Sequence, residues 1–258
     1  MGSQVFGFRT DTGKQRDGNE DALLLLPKYG IFAVADGVGG QNSGEIASQK
    51  AMIGIENFLM ANPLSGADDL ERKYRENWLK GYFLRCMQKV NAEITKEAAK
   101  DPLMSNMATT LVLCYFDMES IYVVNMGDSR AYILRDGVLT QLTEDHTYVN
   151  KLVNAGTLTR SEARIHPQKN IITKALGSGK YTEPDFYRFD LQEGDRVLLC
   201  TDGLHGEITD DEIADILREK EELNEICRLL VDAANNSGGH DNITVICIDN
   251  RYEPGGKI

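Results

Sequence analysis

Apolar residues along the chain fall into runs of two kinds, and their spacing predicts most of the elements. Ala22 to Leu26 and Ile31 to Ala35 are short apolar segments on either side of Pro27 and Gly30, which predicts a β-hairpin. From Ser43 to Met60 the interval changes: Ile46, Ala47, Ile53 and Leu59 recur at helical spacing, with Ser43 placed to cap the helix. Beyond a Pro63-Leu64-Ser65-Gly66 loop, Leu79, Phe83, Cys86 or Met87, Val90 and Ile94 step by threes and fours. That stripe predicts a second helix whose apolar face another layer must cover. Thr109 to Phe116, Ser120 to Asn125 and Ala131 to Leu134 are β-rich runs separated by short turns, and Asp136-Gly137 marks a further tight turn.

Residues 143 to 180 are polar and irregular apart from a helical patch near Tyr148 to Asn154, so a mobile insertion is expected there. The last third repeats the earlier theme, with strands at Phe186 to Asp190, Arg196 to Cys200 and Ile243 to Ile248. Helices are expected from Asp211 to Leu217 and from Leu223 to Ala234. Strands and helices come in groups rather than alternating one by one, which favours two antiparallel sheets with helices packed outside over a doubly wound parallel sheet. No linker, internal repeat or low-complexity tract interrupts the chain, so residues 1–258 are expected to form one domain.

Composition narrows the class. The 258 residues include 41% apolar and 26% charged side chains and 6 prolines, the make-up of an ordinary globular protein. Net charge is −12, and no window gathers Lys and Arg into a stripe, so a nucleic-acid partner is not expected. The cysteines Cys86, Cys114, Cys200, Cys227 and Cys247 are odd in number and far apart, and read as reduced core residues. No apolar run is long enough to span a bilayer, and the N-terminus does not read as a leader; Met1-Gly2-Ser3 lacks the Ser or Thr that a myristoylation signal wants at Phe6. A soluble, cytoplasmic monomer without membrane partners is expected.

Acidic residues cluster at predicted strand ends. Ile-Phe-Ala-Val-Ala leads into Asp36-Gly37, and Val-Leu-Leu-Cys-Thr into Asp202-Gly203. Asn19-Glu20-Asp21, Gly127-Asp128-Ser129-Arg130 and Gly238-Gly239-His240-Asp241-Asn242 hold the others. One such acid is usually a turn residue. Several at the ends of buried strands would repel one another and raise their pKa values unless cations intervene. Oxygen donors favour Mg²⁺, Mn²⁺ or Ca²⁺, whereas Zn²⁺ would ask for His or Cys. Gly37 lets the backbone approach closely enough for its carbonyl to share an ion with Asp36. Two ions about 3.5–4 Å apart can hold and deprotonate a water for in-line attack on phosphorus, which points to phosphoester hydrolysis. Arg16 could present its planar fork to the phosphate, although a solvated loop arginine is the simpler reading.

These residues carry a resemblance. The chain resembles the bacterial metal-dependent Ser/Thr protein phosphatases of the type 2C class, through R-D-G-N-E-D at Arg16 to Asp21, D-G-V-G-G at Asp36 to Gly40 and G-E-I-A-S at Gly44 to Ser48. It continues through A-T-T at Ala108 to Thr110, G-D-S-R-A-Y at Gly127 to Tyr132, L-T-E-D-H at Leu142 to His146, C-T-D-G-L at Cys200 to Leu204 and G-G-H-D-N-I-T-V at Gly238 to Val245. The resemblance implies an α+β fold: a four-layer α-β-β-α sandwich, with two central antiparallel sheets flanked by helices and a flap at about 143–180 beside the active site. It implies two Mn²⁺ or Mg²⁺ ions. Asp36 would bridge them, the Gly37 backbone oxygen would bind one, and Asp202 and Asp241 the other. Glu20 would reach an ion through water, Asp21 would support the direct ligands from behind, and Asp128 would serve a third ion shared with Asp202. Arg16 aligns with the phosphate-binding arginine.

The implied activity is removal of phosphate from phosphoserine and phosphothreonine in proteins, in signalling that opposes a bacterial Ser/Thr kinase. A catalytically inactive phosphoprotein-binding module and a metal-dependent hydrolase of small phosphate esters are the alternatives. Eukaryotic relatives often carry His directly after the Asp-Gly pair, where this chain has Val38. The leaving-group proton must then come from elsewhere: from a water acidified by an ion, from His146, or from His240.

Overall fold

The computed structural model describes residues 5–39, 43–64, 70–179 and 181–250. The Met1-Gly2-Ser3 start, Gly40, Ser65-Gly66 and the last residue of the expected flap, Lys180, lie outside them. In chain order the elements are β1 (Val5–Asp11), β2 (Asp21–Leu26), β3 (Ile31–Val38), α1 (Ser43–Ala61), α2 (Arg72–Ala98), β4 (Ala108–Thr109), β5 (Leu111–Phe116), β6 (Ser120–Met126) and β7 (Arg130–Arg135). There follow β8 (Val138–Gln141), α3 (Tyr148–Asn154), α4 (Arg160–Ile165), β9 (Asp185–Asp190), β10 (Arg196–Cys200), α5 (Asp202–His205), α6 (Asp210–Leu217), α7 (Leu223–Asn236) and β11 (Ile243–Asp249).

One sheet runs β1-β11-β10-β7-β8 and the other β2-β3-β5-β6-β9, with β4 added beside β3. Every strand pair is antiparallel. Alternate residues of each strand face different layers, which accounts for the near-continuous apolar runs. Phe32 and Val34 meet Val197, Leu199 and Ile246 between the sheets. Ile31, Ala33 and Ala35 point the other way and pack under α1 and α2, where Leu79, Phe83, Val90 and Ile94 form the expected stripe. Leu198, Val245 and Cys247 are covered by Ile213, Leu217, Ile226 and Leu230 of α6 and α7. The result is the expected α-β-β-α arrangement. All five cysteines are free and buried, and among the described residues no helix is long and apolar enough to cross a membrane.

The differences from expectation are local. β1 and β8 are edge strands with mixed, half-exposed sequences, VFGFRTD and VLTQ, so no apolar run announces them. The 143–179 segment is not irregular. It holds two short helices, and α4 starts with a capping box between Thr159 and Glu162. Bridges from Thr147 to Ile172 and from Thr109 to Leu176 tie it to itself and to β4.

A candidate metal centre at one end of the sandwich

Strand order brings the acids together. β3 delivers Asp36 at its far end, and the β2–β3 register sets Asp21 directly opposite it. In the facing sheet, β10 ends at Cys200 and the chain turns at Thr201 into α5, whose first residue is Asp202. β10 lies between β11 and β7. Asp241, just before β11, and Asp128, in the β6–β7 turn, therefore flank Asp202. A hydrogen bond from Thr201 Oγ1 to Asp21 Oδ2 (2.8 Å) joins the two sheets at this end.

Close backbone packing fixes these positions. A Cβ on Gly37 would lie 2.0 Å from Gly44 O and 2.7 Å from Glu20 O, and one on Gly203 would lie 1.9 Å from Asn242 O; only glycine fits at either place. A Cβ on Gly44, at the start of α1, would meet Gly37 O at 2.6 Å and Glu20 Oε2 at 2.8 Å. The Gly37 carbonyl and the Glu20 carboxylate thus approach the same point. Thr110 Oγ1 accepts from Asp36 N (2.9 Å) and pairs with Ser129 Oγ (2.7 Å), linking Asp36 to the Asp128 turn. Asn242 accepts from Glu20 N and donates to Thr12 O and Gly18 O, so it holds the loop that carries Arg16 and Glu20. His205 Nε2 lies 3.0 Å from Asp128 O.

The electrostatics are those of acids without cations. Burial and then the neighbouring Asp202 and Asp21 raise Asp36 well above the usual carboxylate range. Burial and Asp202 do the same to Asp128. Asp21 is pushed up to about 7, chiefly by burial, and Asp202 to about 6, by burial and then Asp241. Asp36 and Asp202 are close enough to share a proton. Asp21 Oδ1, Asp128 Oδ1 and Asp202 Oδ1 are buried and accept no hydrogen bond. Such oxygens are costly unless something positive meets them.

Among the described residues no three His, Cys, Asp or Glu side chains form a closed ligand cage. Asp241 instead turns to Arg16, whose Nη2 donates to its Oδ2 at 2.8 Å. The donor chemistry nevertheless fits hard divalent ions: several buried carboxylate oxygens, a carbonyl and no basic counterion inside the ring.

Each residue singled out in the sequence has a definite place. Asp36, Asp21, Asp128, Asp202 and Asp241 face one another electrostatically. Glu20 stands beside Gly37. Arg16 is half exposed at the rim, within the fields of Asp241, Asp36 and Glu20. The two histidines considered as acids are engaged elsewhere. His146 Nδ1 accepts from Gly127 N at 3.0 Å, its Nε2 lies 3.1 Å from Asp185 Oδ2, and burial lowers its pKa. His240 Nδ1 sits 2.9 Å from Glu207 Oε1. Thr110, Ser129, Thr201, His205 and Asn242 are the residues that sequence reasoning missed. All but His205 lie inside the quoted motifs, so position relative to an acid was the available signal.

The sequence profile of protein phosphatase 2C matches residues 13–244. The chain belongs to this family. It is a protein-serine/threonine phosphatase. It is 35% identical over 254 residues to the serine/threonine phosphatase Stp of Listeria innocua, covering 97% of each chain. The crystal structure of Stp1 from Staphylococcus aureus superposes with a TM-score of 0.86 at 32% identity, over 96% of each chain. The catalytic domain of the phosphatase PstP, solved in complex with 2 manganese ions, gives a TM-score of 0.81 at 32% identity, over 95% of this chain and 97% of that one.

Proposed function

We propose that this phosphatase acts through two divalent ions, Mn²⁺ or Mg²⁺, held by the carboxylate end of its sandwich. Asp36, the Gly37 carbonyl, Asp202 and Asp241 would hold them directly. Glu20 contributes through water, Asp21 backs the direct ligands, and Asp128 with Asp202 offers a weaker third position. The observation that carries this reading is the set of buried Asp21, Asp128 and Asp202 oxygens with no partner, at pKa values raised by burial and mutual repulsion. Manganese in the similar PstP structure supports it. Bound ions of this kind neutralise phosphoryl oxygens and lower the pKa of water.

The chain's own residues supply the rest. Arg16 releases Asp241 and turns its fork to the phosphoryl oxygens of the substrate. Thr110, Ser129 and Thr201 hold Asp36 and Asp21 in place, and Asn242 sets the loop that presents Arg16. His146 and His240 have other partners, so neither is assigned the leaving-group proton. The single domain with its flap at 143–180 works as a cytoplasmic monomer on phosphorylated proteins, opposing a Ser/Thr kinase. An inactive binding module would not need every one of these acids.

Purified protein should hydrolyse p-nitrophenyl phosphate and phosphothreonine peptides with Mn²⁺ and lose this on EDTA treatment. Undiminished turnover in metal-free buffer contradicts the proposal.

A further inference from the structure

A cleft of about 590 Å³ opens from Asp128 and Asp202 and runs beneath the 143–179 segment, where Arg160, Arg164 and Lys169 line it. Most of its charges are already satisfied. Arg130 grips Asp145 through two hydrogen bonds (2.9 and 2.6 Å), and Asp210 Oδ1 accepts from Tyr132 Oη. Glu144 accepts from Asn150 and Asn154. Arg164 donates to Ile208 O at 2.9 Å, which fastens this segment to the loop before α6. Arg160 and Lys169 remain: among the described residues neither side chain has a hydrogen bond or a close ion pair, and both are exposed. Lys169, like Arg16, is near enough to Asp202 to favour its ionised form, and it lines the same cleft as Asp202 and Arg160. In sequence, residues 143–180 carry six Lys or Arg against three Asp or Glu, within a chain of net charge −12.

We propose that Arg160 and Lys169 form a specificity site for a second anionic side chain of the substrate, a phosphorylated or carboxylate residue flanking the phosphoserine or phosphothreonine being hydrolysed. This rests on the carboxylate end being the catalytic centre. Arg16 attends to the reacting phosphate at one rim. Arg160 and Lys169, which line the cleft that opens from Asp202, are then available to a neighbouring group on the same peptide. A local basic island on an acidic protein draws an anionic segment to this face and disfavours entry in the opposite direction. Unlike hydrogen bonds to peptide backbone, this recognition depends on ionic strength.

The test compares phosphothreonine peptides that are alike except for one position, which carries phosphoserine, Glu or Gln and is moved through the flanking positions on both sides. Wild-type protein should show kcat/KM about fivefold higher for the phosphoserine and Glu peptides at a preferred offset, through KM, with the advantage shrinking in high salt. Phosphoserine over Glu would identify a second phosphate as the preferred anion; equality would identify charge alone. In R160E/K169E the order should invert, with R160Q/K169Q as the milder pair should the reversal fail to fold. An unchanged preference in either folded pair, or equal kcat/KM for all peptides in the wild type, overturns the proposal. Hydrolysis of p-nitrophenyl phosphate by the wild type reports on the catalytic centre separately, because that substrate carries no second anion.

Discussion

The two ends of the β1-β11-β10-β7-β8 sheet treat buried aspartates in opposite ways. At one end Asp195 and Asp249 are buried and each is matched by an arginine: Arg135 grips Asp195 at 2.8 and 2.6 Å, and Arg196 grips Asp249 at 2.7 and 3.1 Å. At the other end Asp128, Asp202 and Asp241 close the same strands, with Asp36 and Asp21 facing them from the second sheet; the arginine that pairs with Asp241, Arg16, sits at the rim, and the buried Arg130 is spent on Asp145. The first arrangement completes a fold. The second leaves a charge deficit that folding alone does not settle, and such a deficit marks a place built to receive something positive. Burial is therefore a poor guide to function here; the missing counterion is the better one.

Substitution at the two ends should separate these roles. Asp36→Asn is expected to lower kcat by at least about a thousandfold with Mn²⁺ present, yet leave the melting temperature in EDTA unchanged or higher, because one repelling charge is gone. A marked destabilisation in EDTA would mean that Asp36 is structural. Asp195→Asn at the opposite end should do the reverse. It leaves Arg135 facing an uncharged amide, so stability should fall by about 3 kcal/mol in denaturant titrations with activity within twofold of wild type.

pH gives a smaller contrast. Asp21 and Asp202 hold their protons to about 7 and about 6 in the folded protein, against 3.8 for an ordinary Asp. The metal-free native state therefore binds more protons than the unfolded chain between these values. Its stability is greatest below about pH 4 for this contribution and declines as pH rises toward 7. Melting curves in EDTA across that window should show the decline, and Mn²⁺ should reverse its sign. A flat profile in EDTA would mean that the acids are not crowded. Arg16→Ala has the smallest effect: about a tenfold rise in KM for phosphopeptides, since a rim guanidinium contributes one charge-assisted contact. An unchanged KM removes Arg16 from phosphate binding.

How much of this could be read from the chain depends on where each residue lies. The central strands were legible because both of their faces are buried, so Ile31 to Ala35 and Val197 to Cys200 are apolar throughout. The acids at their ends stood out against that background, and their order in the sheets follows from the strands they terminate. β1 and β8 were not legible, since an edge strand with one face near solvent can carry Arg9 or Thr140 as readily as an apolar residue. Within 143–179, six- and seven-residue helices are too short for a periodic signal, although Thr159 and Glu162 spelled a capping box. The hydroxyls that fix the acids were hidden for another reason. Thr110 and Ser129 are far apart in sequence, and only the passage of the chain from β6 in one sheet to β7 in the other brings them to 2.7 Å.

The central claim is that the unpaired carboxylates are a binding site for paired dications. Anomalous diffraction at the manganese edge, from crystals grown with Mn²⁺, addresses it without reference to turnover. Two peaks are predicted at the carboxylate end, with Asp36 touching both, the Gly37 carbonyl touching one and Asp202 and Asp241 touching the other. An active enzyme whose crystals show no manganese there, or show it at the Asp195–Asp249 end, would contradict the claim.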